Sequence, residues 1–425
     1  MHPVRMFRSM AQQFGTTKVE TRINPKKYCT KGEPYMNFLN IGTYSPQQCG
    51  IATFSRNLRD NLTRLKERMA IAAVSDPNFT YIYPDEVSYV IRQTKKEDYV
   101  NTASVVNRDL GIDFVIIQHE YGIYGGADGE YLLEFAARLK KPYLLVTHTI
   151  LPCPTTNQKA VLSALCRQAA AVVCMTRTSS SMLSHVYGAA PEKVYIIHHG
   201  VPAFKTQDRN LLKQEYGFEG RELITTFGLM GPGKGIEIGI RALKKLVMKY
   251  KNLMYLIVGK THPMLVAHEG EQHGDHYRET LIELVSRLGM QDNVKFVNKF
   301  LEPEELGEYL QMTDVYLSPY PDLNQAISGT LAYALGCGRA IVSTPYLYAL
   351  EMLSQGQRGL VAADTTTKAL AELLDRVLSE PDLKLKLESR AAMLGAKIKW
   401  PYIAKQYANL AEGILKSKIA TSAFS

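Results

Sequence analysis

The sequence predicts an α/β fold in which two domains of similar size follow one another, each built on a parallel sheet. Short apolar strands alternate with helical segments along most of the chain, an order typical of parallel sheets covered by helices on both faces. The chain has 425 residues, which is enough for two buried cores. Polar segments follow many of the strands, where open α/β sheets bind their ligands. We therefore expect a ligand cleft between the domains.

The composition is that of an ordinary globular protein, with 46% hydrophobic and 21% charged residues. We find neither an apolar run long enough to cross a bilayer nor an apolar signal core, so we expect a cytoplasmic protein. The charge of +9 is scattered, which favours an anionic substrate or a peripheral contact with an anionic membrane over nucleic acid. The six cysteines form no C-x-x-C pair, which indicates reduced thiols.

The first domain is expected to span residues 37–204, after a polar and basic arm at 1–36. This arm is either a loose tail, a segment that lies on the body or a membrane contact. Continuous apolar segments of the domain are typical of buried parallel strands. The predicted strands are 37–42, 69–75, 114–118, 143–147, 171–175 and 194–197. The segment Ile51–Leu65 between the first two is predicted to be a helix.

The second domain is expected to span residues 205–399 and to begin with a polar linker. Its predicted strands are 223–227, 254–258, 294–298, 315–318 and 340–343, and its predicted helices are 236–250, 276–289, 303–311 and 328–336. Apolar residues recur at helical spacing in the last segment, 400–425, which predicts a terminal helix.

A glycine-rich loop between a strand and a helix of the second domain is the strongest candidate for a binding site. The loop contains Gly228, Gly231, Gly233, Lys234 and Gly235. Glycines let backbone N–H groups approach a ligand, and the helix N-terminus and the lysine add positive charge, which suits a phosphate or diphosphate. The loop is not a Walker A motif, because neither serine nor threonine follows the lysine. An ordinary strand–helix connection remains the alternative.

Two further segments of the second domain follow strands. Ser328-Gly329-Thr330 opens a predicted helix with two hydroxyl groups and unpaired first-turn N–H groups. This is either a second anion-binding helix terminus or a plain N-cap. Gly259-Lys260 follows another strand and adds a second cation at the same edge of the sheet.

Histidines follow three strands of the first domain, at His119-Glu120, His148 and His199. A lone histidine in such a place is more often a packing or capping residue, but three at one edge of a sheet favour a functional cluster. The chain has no zincin spacing and no D-x-D pair, so we expect no metal site.

The order of these segments resembles that of GT-B glycosyltransferases, and most closely the retaining group called family 4 or group 1. The resemblance covers about residues 37–416. The matching segments are Pro46–Leu58, His119-Glu120, His148-Thr149, His199–Val201, Phe227–Ala242, Leu256–Gly259, Asn293–Phe296, Asp314–Pro319, Ala332–Ser343 and Trp400. The resemblance implies two Rossmann-like, doubly wound domains with a cleft between them and a terminal helix that returns to the first domain.

The resemblance also implies roles for individual residues. The acceptor binds mainly to the first domain and a nucleoside-diphosphate sugar mainly to the second, without a cofactor. The candidate catalytic residues are His148, His119 and Glu120. The candidate donor-binding residues are Gly50, Gly231, Gly233, Lys234, Lys260, Gln325, Ser328, Gly329 and Thr330. Lys234 would hold the diphosphate, Gly50 would let the first loop approach it, and His148 would lie near the transferred sugar.

The chain departs from the family pattern at the donor site. Leu229 stands where the family usually has an arginine, Cys49 replaces a usual glycine, and the two carboxylates of the E-x7-E signature fall on Gln325 and Tyr333. The predicted function is a retaining, metal-independent transfer of a hexose from a nucleoside-diphosphate sugar to a hydroxyl of a glycan, lipid or small molecule. The alternatives are a non-catalytic subunit that binds nucleotide sugars or glycans, and an epimerase or hydrolase of nucleotide sugars.

Overall fold

A computed structural model of the protein describes residues 35–263, 265–266 and 275–422, with side chains up to residue 417. Residues 1–34, and with them most of the arm expected at 1–36, lie outside the described residues. Residues 35–425 form one compact unit. No helix among the described residues is long and apolar enough to cross a membrane.

The first sheet has seven parallel strands in the order β3-β2-β1-β4-β5-β6-β7. The strands are β1 (Asn37–Gly42), β2 (Arg68–Ser75), β3 (Val87–Arg92), β4 (Phe114–His119), β5 (Tyr143–Thr147), β6 (Ala171–Cys174) and β7 (Val194–Ile196). Every residue of β4 and β5 is buried, as expected for central strands covered on both faces.

The second sheet has six parallel strands in the order β10-β9-β8-β11-β12-β13. The strands are β8 (Glu222–Phe227), β9 (Leu253–Val258), β10 (Val294–Val297), β11 (Val315–Ser318), β12 (Ala340–Ser343) and β13 (Leu360–Val361). In both sheets the strand order reverses beside the first strand, so that β1 lies between β2 and β4 and β8 lies between β9 and β11. The predicted fold class, two Rossmann-like domains, is confirmed.

Helices connect these strands, as parallel pairing requires. In the first domain they are α1 (Gly50–Arg64), α2 (Lys96–Arg108), α3 (Tyr131–Arg138), α4 (Thr156–Gln168) and α5 (Arg177–His185). After them come α6 (Arg209–Glu215), α7 (Ile236–Leu243), α8 (Leu246–Lys249), α9 (His276–Arg287), α10 (Pro303–Met312), α11 (Gly329–Gly336), α12 (Leu347–Ala349), α13 (Thr367–Ser379), α14 (Pro381–Lys397) and α15 (Trp400–Ser422).

The structure contains two strands that the sequence did not predict, and it interrupts one predicted helix. The strands β3 and β13 lie at the edges of their sheets. β3 carries exposed residues at alternating positions and β13 has only two residues, so neither has the continuous apolar pattern of a buried strand. The helix predicted at 236–250 is two helices, α7 and α8, because the chain turns at Lys244 and Lys245.

The two sheets are joined by a hydrophobic core that contains residues of both. The Phe54 ring of α1 lies with its edge toward the ring of Trp400, the first residue of α15, at 4.9 Å between centroids. Along its length α15 packs against α1. Val201, which follows the first sheet, pairs with the segment before α15: its N–H donates to Ile398 at 2.9 Å and its carbonyl accepts from Trp400 at 3.0 Å.

Candidate active site

The glycine-rich loop after β8 is pressed against the segments that follow β11. Gly235 has a left-handed backbone (φ 61°), and a Cβ atom there would lie 2.0 Å from the carbonyl oxygen of Pro319. Only glycine fits such a position. Gly228, at φ 129°, would bring a Cβ to 3.1 Å from the methyl group of Thr330. The loop is therefore held beside the start of α11.

Lys234 ends a short 3-10 turn in this loop and reaches toward α11. Its ammonium donates to the phenol oxygen of Tyr320 at 3.0 Å. Gly233 is exposed, and no atom lies within 4 Å of where its Cβ would be, so the surface beside this lysine is open. Gly231 has extended backbone and packs against Leu265, where a Cβ would approach the side chain to 2.9 Å.

The start of α11 is capped by its own hydroxyl groups. The Ser328 hydroxyl accepts from the N–H of Leu331 at 3.2 Å and lies 3.1 Å from the hydroxyl of Thr330. The Thr330 hydroxyl lies 2.8 Å from the Tyr320 oxygen, to which Lys234 also donates. The structure thus brings together Lys234, Ser328 and Thr330 from two loops of the second domain.

His199, the third of the strand-end histidines but not one of the candidate catalytic or donor-binding residues, lies against the start of α11. Its Nδ1 donates to the carbonyl of Gly200 at 2.8 Å, which leaves Nε2 as the acceptor nitrogen. A Cβ atom at Gly329 would be 3.0 Å from this Nε2, so the imidazole lies directly against the first residue of the helix. The sequence signal for His199 was its place after the last strand of the first sheet.

His148 lies next to His199 across one aromatic ring. The Phe54 ring presents an edge contact to each, at 4.9 Å to His148 and 5.3 Å to His199. The His148 Nε2 and the Gln118 side-chain oxygen are 2.8 Å apart, and the Gln118 amide donates to Asn40 at 2.7 Å. These hydrogen bonds link side chains of β1, β4 and the residue after β5, and they fix the orientation of the His148 ring.

Gln118 and Asn40 were missed by the reading of the sequence. Both are completely buried, and each carries an amide among the apolar residues of its strand. An amide at such a position needs a polar partner, because a buried polar group without one costs free energy. An amide side chain among the apolar residues of β1 and of β4 is the signal that could have identified Asn40 and Gln118.

His119 and Glu120 contact the segment that carries His148. The backbone N–H of His148 donates to the carbonyl of His119 at 3.0 Å. The Glu120 carboxylate accepts from the N–H of Tyr121 at 3.0 Å and from the hydroxyl of Thr149. Burial raises the pKa of Glu120. These contacts hold the segment that carries His148.

The remaining candidate donor-binding residues are Gly50, Lys260 and Gln325. Gly50 is exposed and begins α1, with no atom within 4 Å of where its Cβ would be. Lys260 is half-buried, and its carbonyl accepts from Met230 of the glycine-rich loop at 2.9 Å. The half-exposed Gln325 turns its amide N–H group to the carbonyl of Ile327 at 2.7 Å.

Tyr333, where the E-x7-E pattern has its second carboxylate, and the acidic residue Glu351 both make contacts between the domains. The Tyr333 hydroxyl accepts from the Asn57 amide of α1 at 3.2 Å. Glu351, close by in the sequence, accepts from the N–H groups of Arg177 and Thr178 at 2.7 and 2.9 Å. Its charge therefore caps the positive N-terminus of α5. Among the described residues, no three His, Cys, Asp or Glu side chains are grouped to hold a metal ion.

Burial makes the histidines of this region neutral near pH 7. It lowers the pKa of His119 and of His199 to about 4. The pKa of His148 is lowered to about 3 by burial and by the neighbouring His199 and His119. The positive charge beside α11 therefore comes from Lys234 and from the helix terminus, while the imidazoles act as neutral hydrogen-bonding groups.

We expect the two buried histidines His119 and His199 to make the fold less stable in mild acid. Their folded pKa of about 4 lies below the ordinary 6.5, so the unfolded chain binds their protons first. Stability from this source is complete above pH 6.5 and decreases as the pH falls toward 4. Between pH 7 and pH 5, the unfolding free energy should fall by about 2 kcal/mol for each histidine.

Urea unfolding of wild type and of His119→Leu at both pH values measures this. In the variant, the difference in unfolding free energy between pH 7 and pH 5 should be smaller than in wild type by about 2 kcal/mol, the contribution of one histidine. The exposed His185→Leu variant is the control. An unchanged pH dependence in His119→Leu would contradict the expected burial of a neutral imidazole.

Residues 208–393 match the family model described as Glycosyl transferases group 1. Among curated relatives, the chain is 22% identical to the alpha-D-kanosaminyltransferase of Streptomyces kanamyceticus, over 54% of this chain and 56% of the relative. It is 24% identical to the D-inositol 3-phosphate glycosyltransferase of a Nocardioides species, over 55% and 52%. The chain thus spans about half the length of these relatives.

Solved structures share the fold over nearly the whole chain. Anabaena HepE, solved in complex with UDP and glucose, superposes with a TM-score of 0.70 at 17% identity and covers 89% of this chain and 100% of its own. Sucrose-phosphate synthase from Thermosynechococcus elongatus gives 0.72 at 17% identity, covering 90% and 100%. Residues 208–393 therefore resemble a group 1 glycosyl transferase domain, and the two-sheet fold is of the GT-B glycosyltransferase type.

Proposed function

We propose that the protein is a glycosyltransferase that moves a hexose from a nucleoside-diphosphate sugar to a hydroxyl group of an acceptor. One observation carries this proposal: Lys234, Ser328 and Thr330 converge at the start of α11. The line of contacts continues through His199 to His148 in the other domain. The group 1 match and the UDP complex of HepE support the same assignment.

The charge distribution suits a diphosphate leaving group. As the bond to the sugar breaks, the nucleoside diphosphate gains negative charge. A fixed ammonium and the N–H groups of a helix start stabilise such charge without having to reorganise. Lys234 and α11 supply these groups, so we propose that the transfer needs no metal ion.

His148 is proposed to hold the transferred sugar. A neutral imidazole that donates from Nε2 to Gln118 keeps Nδ1 as an acceptor for a sugar hydroxyl. We further propose retention of the anomeric configuration. The departing phosphate oxygen takes the acceptor's proton as the acceptor oxygen bonds to the anomeric carbon on the same face, so His148 need not be a general base. The acceptor would be a glycan, lipid or small molecule.

A second candidate is a subunit that binds nucleotide sugars without transferring them. The amide of Gln325 and the phenol of Tyr333 stand where the group 1 pattern has carboxylates, and Tyr333 bonds to Asn57. Binding of a nucleoside diphosphate without turnover of any sugar-linked form would favour this candidate.

Lys234→Ala tests the donor site. Because Lys234 is the charged side chain of the loop, its loss should weaken nucleoside-diphosphate binding by about 1.5–3 kcal/mol, as for other charged hydrogen bonds. Calorimetry with UDP, GDP and ADP first identifies the nucleotide that binds, and then compares the variant with wild type. The exposed Lys251→Ala variant, in the same domain, is the matched control. Equal affinity in wild type and Lys234→Ala would remove the lysine from the site.

A further inference from the structure

Tyr320 lies at the centre of the groups assigned to the diphosphate. It follows β11 and is 2% exposed. Its oxygen accepts from the Lys234 ammonium at 3.0 Å, lies 2.8 Å from the Thr330 hydroxyl and accepts from the Ser328 hydroxyl at 3.4 Å. The candidate donor-binding side chains with a charge or a hydroxyl beside α11 thus meet at one phenol oxygen.

Packing alone does not explain this arrangement. The Tyr320 ring stacks on Tyr346 with centroids 5.0 Å apart and planes 18° apart, a contact that needs no hydroxyl group. Two other buried tyrosines, Tyr348 and Tyr407, have hydroxyl groups without a hydrogen-bond partner among the described residues. The fold therefore accepts unpartnered phenols in its core, yet it places three polar side chains around this one.

The electrostatic surroundings of the Tyr320 oxygen are those of an anion site. The ammonium of Lys234 also lies 4.5 Å from the centre of the ring. Burial alone would raise the pKa of Tyr320, but the charge of Lys234 and the hydrogen bonds from Lys234, Ser328 and Thr330 outweigh it, so the net shift is downward. Negative charge is thus stabilised at this point of the site.

We propose that Tyr320 is a diphosphate-contacting residue of the donor site, an inference that rests on the proposed function. A phenol can accept from Lys234 and still donate its single proton. When a phosphate oxygen approaches Lys234 and Thr330, the Tyr320 O–H donates to it. The same phenol keeps the lysine and the threonine turned toward the phosphate, because both already bond to its oxygen.

Tyr320→Phe tests this, since it keeps the ring and its stacking on Tyr346 and removes only the oxygen. The affinity for whichever of UDP, GDP or ADP binds wild type should fall about tenfold. The affinity for the matching nucleoside, followed by ligand-detected NMR, should stay unchanged because the nucleoside has no phosphate. A merely structural loss would weaken both. Tyr255→Phe is the control, because it removes a buried hydroxyl of the same domain that lies 2.8 Å from Thr226 instead.

A double variant adds an independent criterion. Because Tyr320 is proposed both to donate to the phosphate and to position Lys234, Tyr320→Phe should still cost affinity in a Lys234→Ala background, but less than it costs in wild type. No further loss would overturn the direct contact, a fully additive loss would overturn the positioning of Lys234, and equal or tighter diphosphate binding in Tyr320→Phe alone would overturn both. Those results would leave the proposed function intact. By contrast, a wild-type protein that binds none of the three nucleoside diphosphates would overturn the proposed function itself.

Discussion

His148→Ala is expected to reduce turnover by about two orders of magnitude or more, comparable to the loss of one preorganised hydrogen-bonding group in an active site. The affinity for the nucleoside diphosphate should remain nearly intact, because His148 belongs to the first domain and Lys234 to the second. Steady-state kinetics and calorimetry on the same preparations measure the two effects separately. Near-normal turnover in the variant would remove His148 from the site.

The neighbour of His148 provides a finer version of this experiment. Gln118→Leu keeps the imidazole but removes the oxygen that lies 2.8 Å from its Nε2. Turnover should also fall, by a smaller factor than in His148→Ala, and nucleotide affinity should again stay unchanged. A turnover equal to that of wild type would show that the ring is oriented without Gln118.

The second large effect concerns stability. Asp314, at the start of β11, is 3% exposed and accepts from the Lys213 ammonium at 2.5 Å and from the N–H of Leu223 at 2.7 Å. Lys213 is itself 6% exposed. Asp314→Ala would leave a buried ammonium without its counter-charge and an N–H of β8 without its acceptor. We therefore expect the unfolding free energy to fall by about 3–5 kcal/mol.

Chemical denaturation measures this loss. The matched control is Glu372→Ala, which removes a carboxylate that lies 3.9 Å from Lys368 on an exposed helix surface. Exposed pairs contribute little, so the control should unfold nearly as wild type does. Equal losses of unfolding free energy in the two variants would show that the buried Asp314–Lys213 pair stabilises the fold no more than an exposed pair does.

Much of the fold could be predicted because its central strands are continuous apolar runs. β4 and β5 are buried on both faces, and their sequences show it. The edge strand β3 was missed because half of its residues are exposed. The closeness of the glycine-rich loop and the start of α11 also follows from topology, since β8 and β11 are neighbours and their carboxyl ends meet at one edge.

The rest of the candidate site depends on side-chain directions that no local pattern encodes. In the sequence, Tyr320 is one aromatic residue of a loop, and only the fold brings its hydroxyl to the ammonium of Lys234. Glu351 lies close in the sequence to the missing carboxylates, but it caps a helix of the other domain. These two contacts join residues 86 and 174 positions apart, and one sequence read alone carries no signal for them.

The most direct test of the central claim is an NMR experiment on the complete reaction. The nucleotide identified by calorimetry is supplied as its α-linked hexose conjugate, with a panel of hydroxyl-bearing acceptors, in a buffer containing EDTA. The account predicts a new α-linked glycoside, assigned from its one-bond ¹³C–¹H coupling, and an equal amount of released nucleoside diphosphate. Bound nucleotide with an unchanged donor spectrum would contradict transfer, a β-linked product would contradict retention, and turnover only after addition of Mg²⁺ or Mn²⁺ would contradict metal independence.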